Sequence, residues 1–271
     1  MRLAVSNIAW SPDENNLVFP ILNRMGVKGI EIAPTTLWSD PTKATPSEIE
    51  NIKEYFFNAG FTIPAAQALL FNHPELTIFS DENIRQNTLD YLKSLCSICA
   101  KIGIPRMVFG SPKNRQKGNL SFNQALEIAS DFFFDLAEYI SPFGIVLCLE
   151  PNPVEYGCDF ILNSSDALTL INQVNHPNFK LQLDTSSIFL NWEDPYQVIS
   201  SCIQFIRHCH ISEPYLGLLG EAESDHKAIA NNLQLFNYGE WISIEMKSGL
   251  MQHNSEAILK SLQFVTDIYL K

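Results

Sequence analysis

Short apolar runs of strand length alternate with longer helical patterns along the whole chain, and this rhythm restricts it to parallel βα units. Eight such units can be counted. The expected strands cover 3–9, 29–33, 62–69, 106–110, 145–150, 180–184, 205–211 and 241–245. Helical patterns lie between them near 14–25, 47–59, 82–102, 121–140, 164–174, 195–203, 225–236 and 254–270. Eight units in 271 residues predict an α/β fold, a single (β/α)8 TIM barrel domain over 1–271.

Boundary signals agree. Ser47, Ser121, Asn163 and Asp225 each offer a side-chain oxygen where a helix should start. Gly26, Gly60 and Gly103 stand where helices should end before strands. A doubly wound open sheet is the alternative for such a rhythm. No G-x-G-x-x-G or G-x-x-x-x-G-K-[ST] follows any strand, which favours the barrel.

A net charge of −12 argues against a nucleic-acid partner, which would need clustered Lys and Arg. No run approaches the roughly 18 apolar residues of a membrane span. The opening MRLAVSNIAWSPDENN is cut by Pro12 and acids, unlike a secretory signal. The six cysteines are scattered, several within apolar runs, so a reduced, cytoplasmic setting is expected. Cys96 and Cys99 form a C-x-x-C, but inside a continuous helical pattern, where packing and not redox chemistry is the expected role.

Strand parity then selects the candidate site. Side chains alternate faces, so in IVLCLE the set Ile145, Leu147 and Leu149 faces the helices and leaves Val146, Cys148 and Glu150 inside. KLQLD places Gln182 and Asp184 inward, HCHI puts His208 and His210 on one face, and WISIE turns Ser243 and Glu245 inward. GIEI leaves Glu31 inside. Strands five to eight therefore each end on an inward ionisable group, at the carboxyl end where barrel active sites form. Any one of these groups could be a core residue bonded to its neighbours. Together, with no matching set of Lys or Arg, Glu150, Asp184, His210 and Glu245 make an anionic pocket whose simplest compensation is one divalent metal ion. One imidazole with three carboxylates suits Mn2+, Mg2+ or Co2+, and Zn2+ is compatible. Glu31, Gln182 and His208 are candidates for substrate hydrogen bonding, as is Glu213 just past the seventh strand, and Trp10 could stack on a substrate ring.

The runs LCLEPNP, LQLDTSS, RHCHISEP and WISIEMK resemble the sugar phosphate isomerase/epimerase superfamily, the xylose isomerase-like barrels, over essentially the whole chain. The resemblance implies that Glu150, Asp184, His210 and Glu245 hold the metal and that Glu150 and Glu245 act as acid and base on opposite faces of a small-molecule carbohydrate. A metal on the carbonyl and adjacent hydroxyl would stabilise an enediolate, from which a proton returned to the other face gives an epimer and one returned to the next carbon gives an isomer. The family's second substrate-contacting glutamate is nearest matched by Glu155, and the relatives with further metal ligands near the seventh helix point to His226. Barrels of this family often pair, which leaves room for a homodimer.

Two positions depart from the ketose 3-epimerase pattern: Ser187 replaces a His three residues after Asp184, and Leu216 replaces an Arg six residues after His210. The expected function is a metal-dependent isomerase or epimerase of a sugar, sugar phosphate or cyclitol. A metal-dependent dehydratase of a keto-cyclitol and a non-catalytic carbohydrate-binding barrel are the alternatives. For a phosphorylated substrate, Lys113, Arg115 and Lys117 after the fourth strand are the candidate grips.

Overall fold

The computed structural model describes residues 1–270. In chain order its strands and α-helices are β1 (Arg2–Ser6), α1 (Asn15–Arg24), β2 (Gly29–Glu31), α2 (Pro46–Asn58), α3 (Glu82–Ile102), β3 (Arg106–Phe109), α4 (Phe122–Ile140) and β4 (Val146–Leu149). They continue as α5 (Ser164–Val174), β5 (Phe179–Asp184), α6 (Thr185–Leu190), α7 (Pro195–Cys202), β6 (Ile206–Ser212), α8 (His226–Leu235), β7 (Trp241–Glu245) and α9 (Asn254–Tyr269). The described strands form one parallel sheet of seven in the order β2-β1-β7-β6-β5-β4-β3.

The expected third strand, 62–69, is the exception. It joins the sheet only through isolated parallel bridges, Gly29 with Thr62 and Ala66 with both Ile32 and Met107. Its backbone still bonds both sheet edges: Ile30 N donates to Thr62 O at 3.0 Å and Val108 N to Ala66 O at 2.8 Å. Pro64 has no N–H to give a ladder, and Ala68 takes a left-handed φ of 53°, so the run cannot continue as a regular strand.

Several boundaries follow local chemistry. Ser121, Asn163 and Asp225 each cap a helix, accepting from Gln124 N, Asp166 N and Ala228 N. At α2 the cap is Thr45 and not Ser47, because Pro46 occupies the first turn and Glu48 completes a capping box with Thr45. The six-residue α6, absent from the sequence pattern, starts directly after Asp184, whose carboxylate accepts Ser187 N. Cys96 and Cys99 are buried in α3, with the Cys96 thiol pushed up to about 12 by burial.

The sheet's helix-facing side chains, among them Val5, Ile30, Leu147, Leu149, Leu181, Cys209, Ile242 and Ile244, belong to the main hydrophobic core. The interior holds a small separate cluster of Ala65, Val108 and Cys148, against which Val146 packs. Beside this cluster the interior carries the buried polar side chains of Ser6, Glu31, Gln182, His208, His210 and Ser243, among which the candidate site lies.

Candidate active site

Four strands deliver the site from their carboxyl ends. Asp184 ends β5 and pairs in register with His210 of β6, while Glu245 ends β7 opposite Ser212. Glu150 follows β4 directly. His210 Nδ1 lies 3.1 Å from Glu150 Oε1 and 3.2 Å from Glu245 Oε2. One ligand atom from each of Glu150, Asp184, His210 and Glu245 falls within 4.8 Å of all the others. Gly110 makes room for this, since a Cβ there would collide with Glu150 Oε2.

Asp184 is tightly held. Its Oδ1 accepts Ser186 Oγ at 2.6 Å and Ser187 N at 2.7 Å, and its Oδ2 accepts Ser212 Oγ at 2.7 Å. A carboxylate accepts about four such bonds, so about one direction on Oδ2 is left open. Ser186 Oγ also contacts Tyr156 OH at 3.1 Å, and Tyr156 OH accepts Tyr215 N at 3.1 Å. Because Ser186 gives its proton to the carboxylate, the chain runs one way: Tyr215 N–H to Tyr156 O–H to Ser186 O–H to Asp184. Tyr156 and Tyr215 also pack edge to face at 5.8 Å. Burial, with the charges of Asp184 and Glu245, pushes the Tyr156 phenol up to about 12.

The charge balance is uneven. Burial raises Glu245 to about 7, with Glu150 and Asp184 adding to the rise and His210 opposing it. Asp184 is likewise raised by burial and by Glu150. Burial disfavours a charged His210, but Glu245, Glu31 and Glu150 outweigh it and hold the imidazole well above its usual range. Carboxylates about 4 Å apart repel by about 4 kcal/mol at an effective dielectric of 20, and a single imidazole leaves these three short of compensating positive charge.

Glu31 takes a different place from the substrate contact expected of it. It is fully buried, and both its oxygens lie 3.1 Å from His210 Nε2. His208 Nε2 is 3.2 Å from Glu31 Oε1, off the axis of a good hydrogen bond. Burial works against ionised Glu31, yet His210 and His208 bring the carboxyl far below its usual range. Gln182 and Ser243 sit fully buried nearby on β5 and β7, their side-chain polar atoms without protein partners.

The other candidates are dispersed. Trp10 is buried in the core and donates Nε1 to Asn15 Oδ1 at 2.7 Å. Glu155 is exposed on the turn after β4. Glu213 and His226 meet each other: His226 Nε2 is 3.1 Å from Glu213 Oε1, and its Nδ1 is 2.7 Å from Tyr269 OH. Arg115, expected as a phosphate grip, is fully buried and donates to Glu150 O at 2.7 Å and Asn152 Oδ1 at 3.1 Å, so it braces the β4 loop instead. Ser187, at the first departing position, turns its Oγ to Pro151 O at 3.1 Å. Tyr215 and Leu216, at the second, both hold left-handed φ, 60° and 57°. Ser186, Ser212, Tyr156 and Gly110 were missed by sequence reasoning. Ser212 alone had a signal, as the next inward position beyond His210.

The xylose isomerase-like TIM barrel family model matches residues 19–268. This chain belongs to that family. Within reach of it by sequence is an L-ribulose 3-epimerase of Methylomonas sp. (strain DH-1), 24% identical over 226 residues, 82% of this chain and 74% of the relative. Among solved structures, a D-psicose 3-epimerase from Clostridium cellulolyticum H10 with D-tagatose aligns at TM-score 0.83 and 15% identity over 99% of both chains. The 3-keto-D-glucoside 4-epimerase YcjR of E. coli aligns at TM-score 0.80 and 20% identity over 98% of this chain and 99% of its own. The zinc-bound IolI protein aligns at TM-score 0.77 and 16% identity over 99% and 98%. At these identities the structures show the shared barrel-type fold.

Proposed function

We propose that this family member is a divalent-metal-dependent isomerase or epimerase of a sugar, sugar phosphate or cyclitol, working through an enediolate. One observation carries the reading: Glu150 and Glu245, from different strands, converge on His210 Nδ1 at 3.1 and 3.2 Å, with Asp184 in the same cluster. The sugar 3-epimerases and the 4-epimerase among its relatives and neighbours support it.

The donor set fits a metal. Three carboxylates around one imidazole leave surplus negative charge, and Asp184 keeps about one oxygen direction free after its three hydrogen bonds. Glu150, Asp184, His210 and Glu245 would hold the ion, which when bound supplies the positive charge that makes a proton beside a carbonyl acidic enough to leave. Mn2+, Mg2+ and Co2+ suit this set, and the zinc in IolI keeps Zn2+ with them.

The chain's own part is proton handling and positioning. One of Glu150 and Glu245 removes the proton and the other returns it. Ser186, Ser187 and Ser212 hold Asp184 in one orientation, and Tyr156 ties that set to the loop after β6. With Arg115 committed to the β4 loop, Lys113 and Lys117 are the remaining grips for a phosphorylated substrate. Six free, buried cysteines accord with a reduced, cytoplasmic setting.

The test is incubation of metal-loaded protein with ketoses, aldoses, their phosphates, keto-glycosides and inososes in deuterated water, followed by NMR. Carbon-bound deuterium in a new isomer is the expected result. Exchange followed by loss of water would move the assignment to a dehydratase, and no exchange across the panel would favour a binding barrel.

A further inference from the structure

From the contacts of Glu31 we infer that this residue is a positioning residue: it holds the proton of His210 on Nε2 so that Nδ1 is the atom presented to the metal. The inference rests on the metal reading of the site, and it assigns Glu31 a role away from substrate.

An ionised carboxylate only accepts hydrogen bonds, and a neutral imidazole carries one proton on one of its two nitrogens. Both oxygens of Glu31 face His210 Nε2 at 3.1 Å. Nδ1 faces Glu150 and Glu245 at 3.1 and 3.2 Å, in the cluster that includes Asp184, so a cation seated among those carboxylates displaces the proton of Nδ1, while Glu31 keeps the one on Nε2. Glu31 comes from β2, 179 residues away, and has no exposed surface. It has no route to a substrate.

Its other neighbour explains how it stays in place. His208, two residues before His210 on the same inward face of β6, brings Nε2 to within 3.2 Å of Glu31 Oε1. The two rings stand nearly perpendicular, 81° apart at 5.6 Å between centroids, with the carboxylate contacting both. A carboxylate buried beneath a pocket already crowded with three others is costly unless it is paired, and the partners of Glu31 are the two imidazoles. Carboxylates that accept the second N–H of a ligating histidine fix its tautomer and ring orientation, and losing one lowers metal affinity about 10–100-fold.

The experiment reads the atom directly. Protein labelled with 15N-histidine is loaded with Zn2+, and the ring nitrogens of His210 are correlated by NMR. The expected pattern is Zn2+ on Nδ1 and a slowly exchanging proton on Nε2. Glu31→Gln, whose amide can donate to Nε2 and drive the proton to Nδ1, should bind Zn2+ about 10–100-fold more weakly. Glu213→Gln, in the other buried Glu–His pair, should leave Zn2+ affinity unchanged. Zn2+ on Nε2, or wild-type affinity in Glu31→Gln, would overturn the assignment while leaving the metal centre standing. If Glu31→Gln does not fold, the wild-type spectrum decides alone. Failure of the wild type to bind Zn2+ or Co2+ would sink the metal reading and this assignment with it.

Discussion

Two buried Glu–His arrangements in this molecule use the same residue types for different ends. Along the loop between β6 and α8, Glu213 takes donors from His226, Gly220 N and Ser224, and His226 uses its other nitrogen on Tyr269 OH. That set is balanced. In the barrel interior, His210 faces Glu31, Glu150 and Glu245 at once, and Asp184 is close by. One imidazole cannot neutralise four carboxylates. The satisfied set ties the loop to α9, whereas the unsatisfied set is chemistry held ready for a cation.

The sharpest break between them is catalytic. Glu150→Gln and Glu245→Gln should each cut deuterium exchange by about 10²–10⁴-fold with the thermal midpoint retained, whereas exchange in Glu213→Gln should persist. Full exchange in both site variants would remove the two glutamates from the mechanism.

Stability should reverse the ranking. Glu213→Ala leaves His226 without its buried partner and should cost about 3 kcal/mol in urea unfolding. Divalent metal at about 100 times its Kd should raise wild-type stability by about 2.7 kcal/mol. That gain should vanish in Asp184→Asn and survive in Glu213→Ala, and an equal gain in all three would place the ion elsewhere. Tyr269→Phe, which strips the hydroxyl from His226 Nδ1, should cost about 1 kcal/mol with metal binding untouched.

The smallest effect is the pH slope, and here the two sets should oppose each other. Glu213 is held below its usual value because the bonds from His226 and Ser224 outweigh burial. Its contribution is present above the ordinary carboxylate range and is lost as pH falls through the folded value. Asp184 and Glu245 are raised, Glu245 to about 7, so in metal-free protein they hold protons that the unfolded chain has released. Metal-free stability from these two should rise as pH falls from about 7 toward the ordinary carboxylate range. Unfolding midpoints in chelator, with Glu245→Gln and Glu213→Gln compared, separate the slopes; the same sign in both variants would erase the contrast.

What was legible in the sequence depended on period. Alternation of two along IVLCLE, KLQLD, HCHI and WISIE set which face Glu150, Asp184, His210 and Glu245 occupy, because a strand leaves its side chains no other choice. The same logic put Glu31 and His208 inward. Where a segment lacked a period, the reading weakened. Pro64 broke a strand that apolar content alone suggested, and Arg115 read as a candidate phosphate grip because nothing local shows the carbonyls and the Asn152 oxygen that bury it.

The sequence by itself determined the βα rhythm, the helix caps at Ser121, Asn163 and Asp225, and the inward face of each strand, since all of these depend on residues within a few positions of one another. Only the tertiary structure decided which inward groups meet. Glu31 reaches His210 across 179 residues, Tyr156 reaches Asp184 through Ser186, and Glu213 turns to His226 and Tyr269. Those pairings follow from how the sheet curls and how its loops fold back, and distances along the chain carry no information about distances across the barrel interior.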